Sequence, residues 1–131
     1  MILAKPLKIV VMDDDEVLGA VLCKTLAAEG HDAQSAPDGR VGLSLLAHSR
    51  ADVAIVDIFM PGKDGFAVIG EIRRNHPEVG IIAISGYDET DEGDVLIEAQ
   101  KRGADTGLAK PFNRSTVLAA IERVTSRHRV V

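Results

Sequence analysis

Four places in the chain carry side chains that could do chemistry, and each sits at the end of a short, β-branched run. Asp13, Asp14 and Asp15 follow IVVM, Asp57 ends VAIVD, Ser85 ends IIAIS, and Lys110-Pro111 follows GLA. Carboxylates gathered within a few ångströms repel one another and need a cation between them. Oxygen ligands without a neighbouring His or Cys favour Mg²⁺, which keeps several waters and takes few protein ligands. Lys110 would add a second positive charge. A carboxylate beside Mg²⁺, an ammonium and a hydroxyl suits acyl-phosphate formation. The aspartate is then the nucleophile, while the metal, lysine and serine stabilise charge on the transferring phosphoryl oxygens.

Each residue also has a plainer reading. Asp15, just before a helical pattern, is expected to be an N-cap. Asp57 alone would be a cap or turn residue, Ser85 beside Gly86 a turn residue, and Lys110 a solvated lysine. Those readings account for the residues one at a time and not for their arrival at one edge.

The elements that must position them alternate strictly. Strand-like runs occupy 7–12, 32–36, 53–58, 80–84 and 106–109. The first, third and fourth are almost unbroken in Val, Ile and Ala, as strands covered on both faces should be. Between them, helical spacing recurs at Leu18, Val21, Leu22, Thr25 and Leu26, closed by Gly30. It recurs at Val41 and Leu45 in a helix over 39–48, and at Phe66, Ile69 and Ile72 in one that stops before Pro77. Val95, Leu96 and Ala99 precede Gly103, and Val117, Ile121 and Val124 follow Pro111 and Asn113. Five strand–helix units in alternation imply a doubly wound α/β fold, a parallel sheet with helices on both faces. Ligands in such sheets bind beyond the carboxyl ends of the strands.

A length of 131 residues predicts a single domain over 1–131, with its core at 7–125 and a short solvated tail at 126–131. With 46% hydrophobic residues the chain can bury a core without disulfides or a structural metal. A net charge of −5 and 3% aromatic residues exclude a basic, stacking nucleic-acid surface. Lys5, Pro6 and Lys8 interrupt what a signal peptide would need, and no apolar stretch is long enough to span a membrane. A lone cysteine, Cys23, fits a reducing compartment and a small buried hydrophobe. The expectation is a soluble, cytoplasmic protein.

The segments IVVMDDDE, IVDIFMPGKDG and LAKPF together resemble the receiver domain of bacterial two-component response regulators, over about residues 7–125. The resemblance implies a flavodoxin-like (βα)5 fold with strand order 2-1-3-4-5. It implies Asp57 as phospho-acceptor, Asp13 and Asp14 as the acidic pair for Mg²⁺, and Phe59 as the residue whose backbone carbonyl meets the metal. Ser85 matches the hydroxyl that turns toward the phosphoryl group, and Lys110 matches the family lysine, with a cis bond to Pro111. The phosphoryl donor would be a histidine kinase or a histidine phosphotransfer protein, and phosphorylation could drive a homodimer. Output would pass to a further protein or along a phosphorelay, and the chain would not be an enzyme in the ordinary sense. A non-phosphorylated binding module on the same scaffold is the competing reading. A Mg²⁺-dependent phosphohydrolase would want a second Asp two residues after the first, where Phe59 stands.

The sequence departs from the family's pattern in three places. Gly107 occupies the position, three before the lysine, where an aromatic residue often reports phosphorylation, so output must use something else, such as motion of Ser85 and its loop. Gly107 would otherwise make room for a neighbour such as Tyr87. The stretch after Ser85 holds Asp88, Glu89, Asp91, Glu92 and Asp94, expected to face solvent near a helix N-terminus. Phe59 and Tyr87 flank the expected route of hydrolytic water and would slow loss of phosphate. His31, His48, His76 and His128 show no metal-ligand spacing.

Overall fold

The computed structural model describes residues 6–60, 64–86 and 92–128. The alternation is realised as β1 (Lys8–Met12), α1 (Glu16–Ala28), β2 (Asp32–Ala36), α2 (Gly39–His48), β3 (Val53–Asp57), α3 (Gly65–Asn75), β4 (Gly80–Ser85), α4 (Glu92–Lys101), β5 (Thr106–Ala109) and α5 (Arg114–His128). All strands pair in parallel. Their order is β2-β1-β3-β4-β5, the flavodoxin-like order that the family resemblance implied.

The unbroken apolar runs have a simple cause. Successive strand side chains point to opposite faces, and both faces are covered. Val10, Met12, Ala54, Val56, Ile81 and Ala83 pack with Leu46, Val68, Ile69, Ile72 and Ala99 from α2, α3 and α4. Ile9, Val11, Val53, Ile55, Ile82 and Ile84 pack on the other side with Leu22, Leu26, Val117, Ile121 and Val124 from α1 and α5. No position of β3 or β4 is left for a polar residue until Asp57 and Ser85, and both of those are buried as well.

Helix starts follow acidic caps. Asp15 accepts from Leu18 N, Asp38 from Val41 N and Asp64 from Phe66 N. The capping role expected of Asp15 is thus met. Gly30 and Gly103, expected to end α1 and α4, take φ of 92° and 129°, a region costly for residues with a Cβ. α5 runs to His128, into the stretch expected as a solvated tail at 126–131. Val124 is fully buried and the following TSRH has neither Gly nor Pro to stop the helix.

The chain enters the sheet in the middle, builds β2 on one side, and then crosses β1 to lay down β3, β4 and β5 on the other. The strand order therefore reverses between β1 and β3, opening a crevice beyond their carboxyl ends. Asp13 and Asp57 stand there.

Candidate functional site

Asp13 follows β1 directly and is 2% exposed. Its amide donates to Ala36 O at 3.1 Å, tying it to the end of β2. Its Oδ1 accepts from Asp15 N at 2.9 Å, and its Oδ2 lies 3.0 Å from Lys110 Nζ. Asp14, next along, is exposed. Asp57 ends β3 and is 3% exposed. Its Oδ1 accepts from Phe59 N at 3.0 Å, and its Oδ2 accepts from Lys110 Nζ at 3.2 Å.

Lys110 reaches both carboxylates because its own backbone is fixed. Its amide donates to Ser85 O at 2.9 Å, which extends the β4–β5 pairing by one step. The Lys110–Pro111 peptide is cis, as the resemblance implied. Ser85 is fully buried, and its hydroxyl has no hydrogen-bond partner among the described residues. Buried hydroxyls are usually satisfied, so an orphan one beside a charged cluster marks a place for a ligand atom.

The electrostatics point the same way. Burial, and then the neighbouring Asp13 carboxylate, push the Asp57 pKa up from 3.8 to about 6, against the Phe59 amide and Lys110, which favour the charged form. Burial pulls the Lys110 pKa down, but pairing with Asp13 and Asp57 outweighs it and the net direction is upward. Carboxylate oxygens of Asp13, Asp14 and Asp57 lie within 4.8 Å of one another. Three carboxylates against one ammonium leave an excess of two negative charges, which a divalent cation matches. An all-oxygen set with an exposed member suits a hard ion that keeps waters.

The geometry thus brings together Asp13, Asp14, Asp57, Ser85 and Lys110. Phe59 joins them through its amide, while its ring is 54% exposed. Sequence reasoning missed a cavity of about 340 Å³ alongside Lys110, lined by Leu18, Gly86, Lys110, Pro111 and Phe112. Helical spacing marked Leu18 as part of α1, and spacing alone does not distinguish a core stripe from a residue at its margin.

Of the expected departures, Leu96 of α4 lies against the space at Gly107, where a Cβ would come within 2.9 Å of its Cδ2. Tyr87, Asp88, Glu89 and Asp91 lie outside the described residues. Asp94 is exposed, as expected, and Glu92 opens α4. His31 Nδ1 accepts from Leu7 N at 3.1 Å and His48 Nδ1 contacts Ser44 O at 2.8 Å, both local structural roles. Cys23 is half-buried against the α1–α5 side of the core, and burial pushes its thiol pKa up. Among the described residues, no helix is long and apolar enough to cross a membrane.

Comparison with known proteins agrees with this arrangement. The response regulator receiver domain family matches residues 9–122. The chain is 36% identical over 123 residues to the transcriptional regulatory protein RprY of Bacteroides fragilis, covering 94% of this chain and 51% of that protein. It is 33% identical over 118 residues to the DNA-binding transcriptional regulator NtrC of Salmonella typhimurium, covering 90% and 24%. NtrX from Brucella abortus superposes with a TM-score of 0.87 at 27% identity, over 95% of this chain and 28% of that one. A beryllofluoride-activated NtrC4 receiver domain dimer superposes with a TM-score of 0.83 at 28% identity, covering 92% and 98%. The chain spans about half the length of RprY and a quarter of NtrC. By sequence match and fold alike, the chain belongs to the response regulator receiver domains of two-component systems.

Proposed function

We propose that this receiver domain takes a phosphoryl group onto Asp57 and signals by the change of conformation or by onward transfer that follows. The observation that carries the reading is the placement of Lys110 between Asp13 and Asp57, 3.0 Å and 3.2 Å from their carboxylates, beside a buried Ser85 hydroxyl with no partner.

In this reading, an Asp57 carboxylate oxygen attacks phosphorus. A P–O bond forms while the donor's P–N bond, in a phosphohistidine, breaks. The nitrogen leaves as neutral imidazole once protonated. Asp13, Asp14, Asp57 and the Phe59 carbonyl would hold Mg²⁺, whose positive charge would stabilise the phosphoryl oxygens. Lys110 exchanges part of its pairing with Asp57 for the incoming oxygens, and Asp13 keeps its ammonium in place. Ser85 turns its hydroxyl to donate to a phosphoryl oxygen, which satisfies a group otherwise buried without a bond. The Phe59 amide holds Asp57 Oδ1 and so orients the nucleophile.

The donor is a histidine kinase or a histidine phosphotransfer protein, and the setting is the cytoplasm. Output passes to another protein, to a further histidine or, through a homodimer formed on phosphorylation, to a partner surface. The NtrC4 receiver, activated by beryllofluoride and dimeric, supports that last route. Intact mass after incubation with Mg²⁺ and acetyl phosphate tests the core of the reading. One base-labile phosphate is expected on the wild type and none on Asp57→Asn; equal uptake by the two would remove Asp57 as the acceptor.

A further inference from the structure

The cavity beside Lys110 has no part in the chemistry described so far. Its volume of about 340 Å³ falls in the range of small-molecule sites, roughly 300–1,000 Å³. Leu18, Gly86, Pro111 and Phe112 give it an apolar wall, and Lys110 is the one charged residue among those described along it. Water in such a space has few polar partners, and an apolar group that displaces it gains affinity.

The wall is held in fixed relation to the carboxylates. Leu18, half-buried, donates its amide to Asp15 Oδ1 at 3.1 Å, and the Asp15 amide donates to Asp13 Oδ1 at 2.9 Å. Leu18 is thereby two hydrogen bonds from the Asp13 side chain. The Lys110 amide, bonded to Ser85 O at 2.9 Å, brings Pro111 and Phe112 beside Gly86. Phe112 is seated in turn against the apolar cluster on the α1–α5 face of the sheet.

Lys110 belongs to the cavity and to the site alike, with Nζ 3.2 Å from Asp57 Oδ2. A phosphoryl group passing to Asp57 has its leaving atom roughly in line with the attacking oxygen, on the far side of phosphorus. Asp57 ends β3, so that side is the crevice beyond the strand ends, which the cavity adjoins at Lys110.

We propose that the cavity is an acyl pocket, which takes the aliphatic chain of a small acyl phosphate while the phosphoryl group passes to Asp57, and which favours chains longer than that of acetyl phosphate. The inference rests on Asp57 as the acceptor and adds the class of small donor. In the step, an Asp57 oxygen forms the new bond to phosphorus and the bond from phosphorus to the acyl oxygen breaks. The electron pair leaves on the carboxylate, which is stable as an anion near neutral pH and needs no proton. The chain lies against Leu18, Pro111 and Phe112, and each methylene taken from water tightens binding by about fourfold.

The test compares acetyl phosphate with butyryl phosphate, at equal low concentrations and with Mg²⁺, by the rate of mass gain on the whole chain. Two further methylenes should make butyryl phosphate the faster donor by about fourfold to fifteenfold, the upper figure holding for complete burial. In Leu18→Ser, which sets a hydroxyl against the chain, the ratio should fall to within about twofold of unity. Propylphosphonate and pentylphosphonate match the two donors in length and have no group to transfer, so they read the cavity apart from the acceptor. The longer one should bind more tightly by the same factor and shift the Leu18 and Phe112 side-chain resonances. Equal rates from the two acyl phosphates, equal affinities of the two phosphonates, or a butyryl preference undiminished in Leu18→Ser would each overturn the proposal. If neither donor transferred but the longer phosphonate still bound more tightly at Leu18, the cavity would stand as an apolar-chain site and Asp57 would fall as acceptor from small donors.

Discussion

Lys110 Nζ stands 3.0 Å from Asp13 Oδ2, and the Asp13 side chain is 1% exposed, so this carboxylate has exchanged water for one ammonium and the Asp15 amide on its other oxygen. Burial of an unpaired carboxylate is costly enough that the pair behaves as a unit. The same ammonium lies 3.2 Å from Asp57, which must share it. Lys110→Met keeps the length of the side chain and removes the charge. It should destabilise the metal-free protein by about 2–4 kcal/mol, read by urea denaturation, because two buried carboxylates lose their counter-charge. Added Mg²⁺ should restore much of that loss. Unchanged stability in Lys110→Met would mean that Asp13 is compensated from elsewhere.

Sharing has a consequence for pH. Asp57 is raised from 3.8 to about 6 in the folded protein, by burial first and by Asp13 second. The folded state therefore binds this proton more tightly than the unfolded chain. The stabilisation is fully present below about pH 4 and is lost as pH rises through about 6. A rise of this size corresponds to a loss on the order of 3 kcal/mol. Titrating groups that do not face Asp57 act equally in Asp57→Asn. Metal-free wild type should therefore lose stability relative to Asp57→Asn as pH rises from 4 to 7, and parallel stability curves would contradict the raised pKa.

Asp14 separates metal binding from folding. It is the exposed member of the carboxylate group, while Asp13 and Asp57 are buried. Asp14→Asn should leave the melting temperature without metal nearly unchanged, since surface substitutions rarely exceed about 0.5 kcal/mol. Millimolar Mg²⁺ should raise the melting temperature of the wild type, because it binds the folded cluster and not the unfolded chain. In Asp14→Asn most of that rise should disappear. A full Mg²⁺ shift in the variant would place the ion on other ligands.

Much of the fold and most of the site could be read in advance, for physical reasons that are specific to each element. β1, β3 and β4 were legible because a strand covered on both faces admits no polar residue, so Asp57 and Ser85 stood out where the apolar run ended. Asp15 was legible as a cap because its chemistry is local. Pairings were not. Nothing in the order of residues says that Lys110 lies nearer Asp13 than Asp57, since that depends on how far each strand end projects past the sheet. The neighbour of Gly107 was not legible for a related reason: a glycine announces a vacancy without saying whose side chain lies against it, and among the described residues that side chain is Leu96 on the neighbouring helix.

Phe59 offers a test of lifetime. Its ring is 54% exposed, two residues past Asp57, and its amide is already committed to Asp57 Oδ1. A bulky ring beside an acyl phosphate impedes water from reaching phosphorus. Phe59→Asn combined with Tyr87→Ala should shorten the life of the phosphorylated form by about tenfold, followed as loss of the added mass after the donor is removed. Equal rates of phosphate loss would show that the rings do not screen the bond.

Ser85 should separate stability from function in the opposite sense to Asp14. Its hydroxyl is buried and without a partner among the described residues, so the resting fold bears the cost of a desolvated donor and gains no bond in return. Ser85→Ala removes that cost. The neighbouring backbone is held by the Lys110 amide on the Ser85 carbonyl, which a change of side chain leaves intact. The variant should therefore be as stable as the wild type or up to about 1 kcal/mol more stable. Phosphoryl transfer should suffer, because a donor to the transferring oxygens is gone; one such bond is worth about tenfold to a hundredfold in rate. Melting curves and the rate of mass gain from acetyl phosphate measure the two effects on the same sample. A loss of both stability and rate would assign Ser85 a structural bond in the resting protein, and a gain of stability with an unchanged rate would remove it from the chemistry.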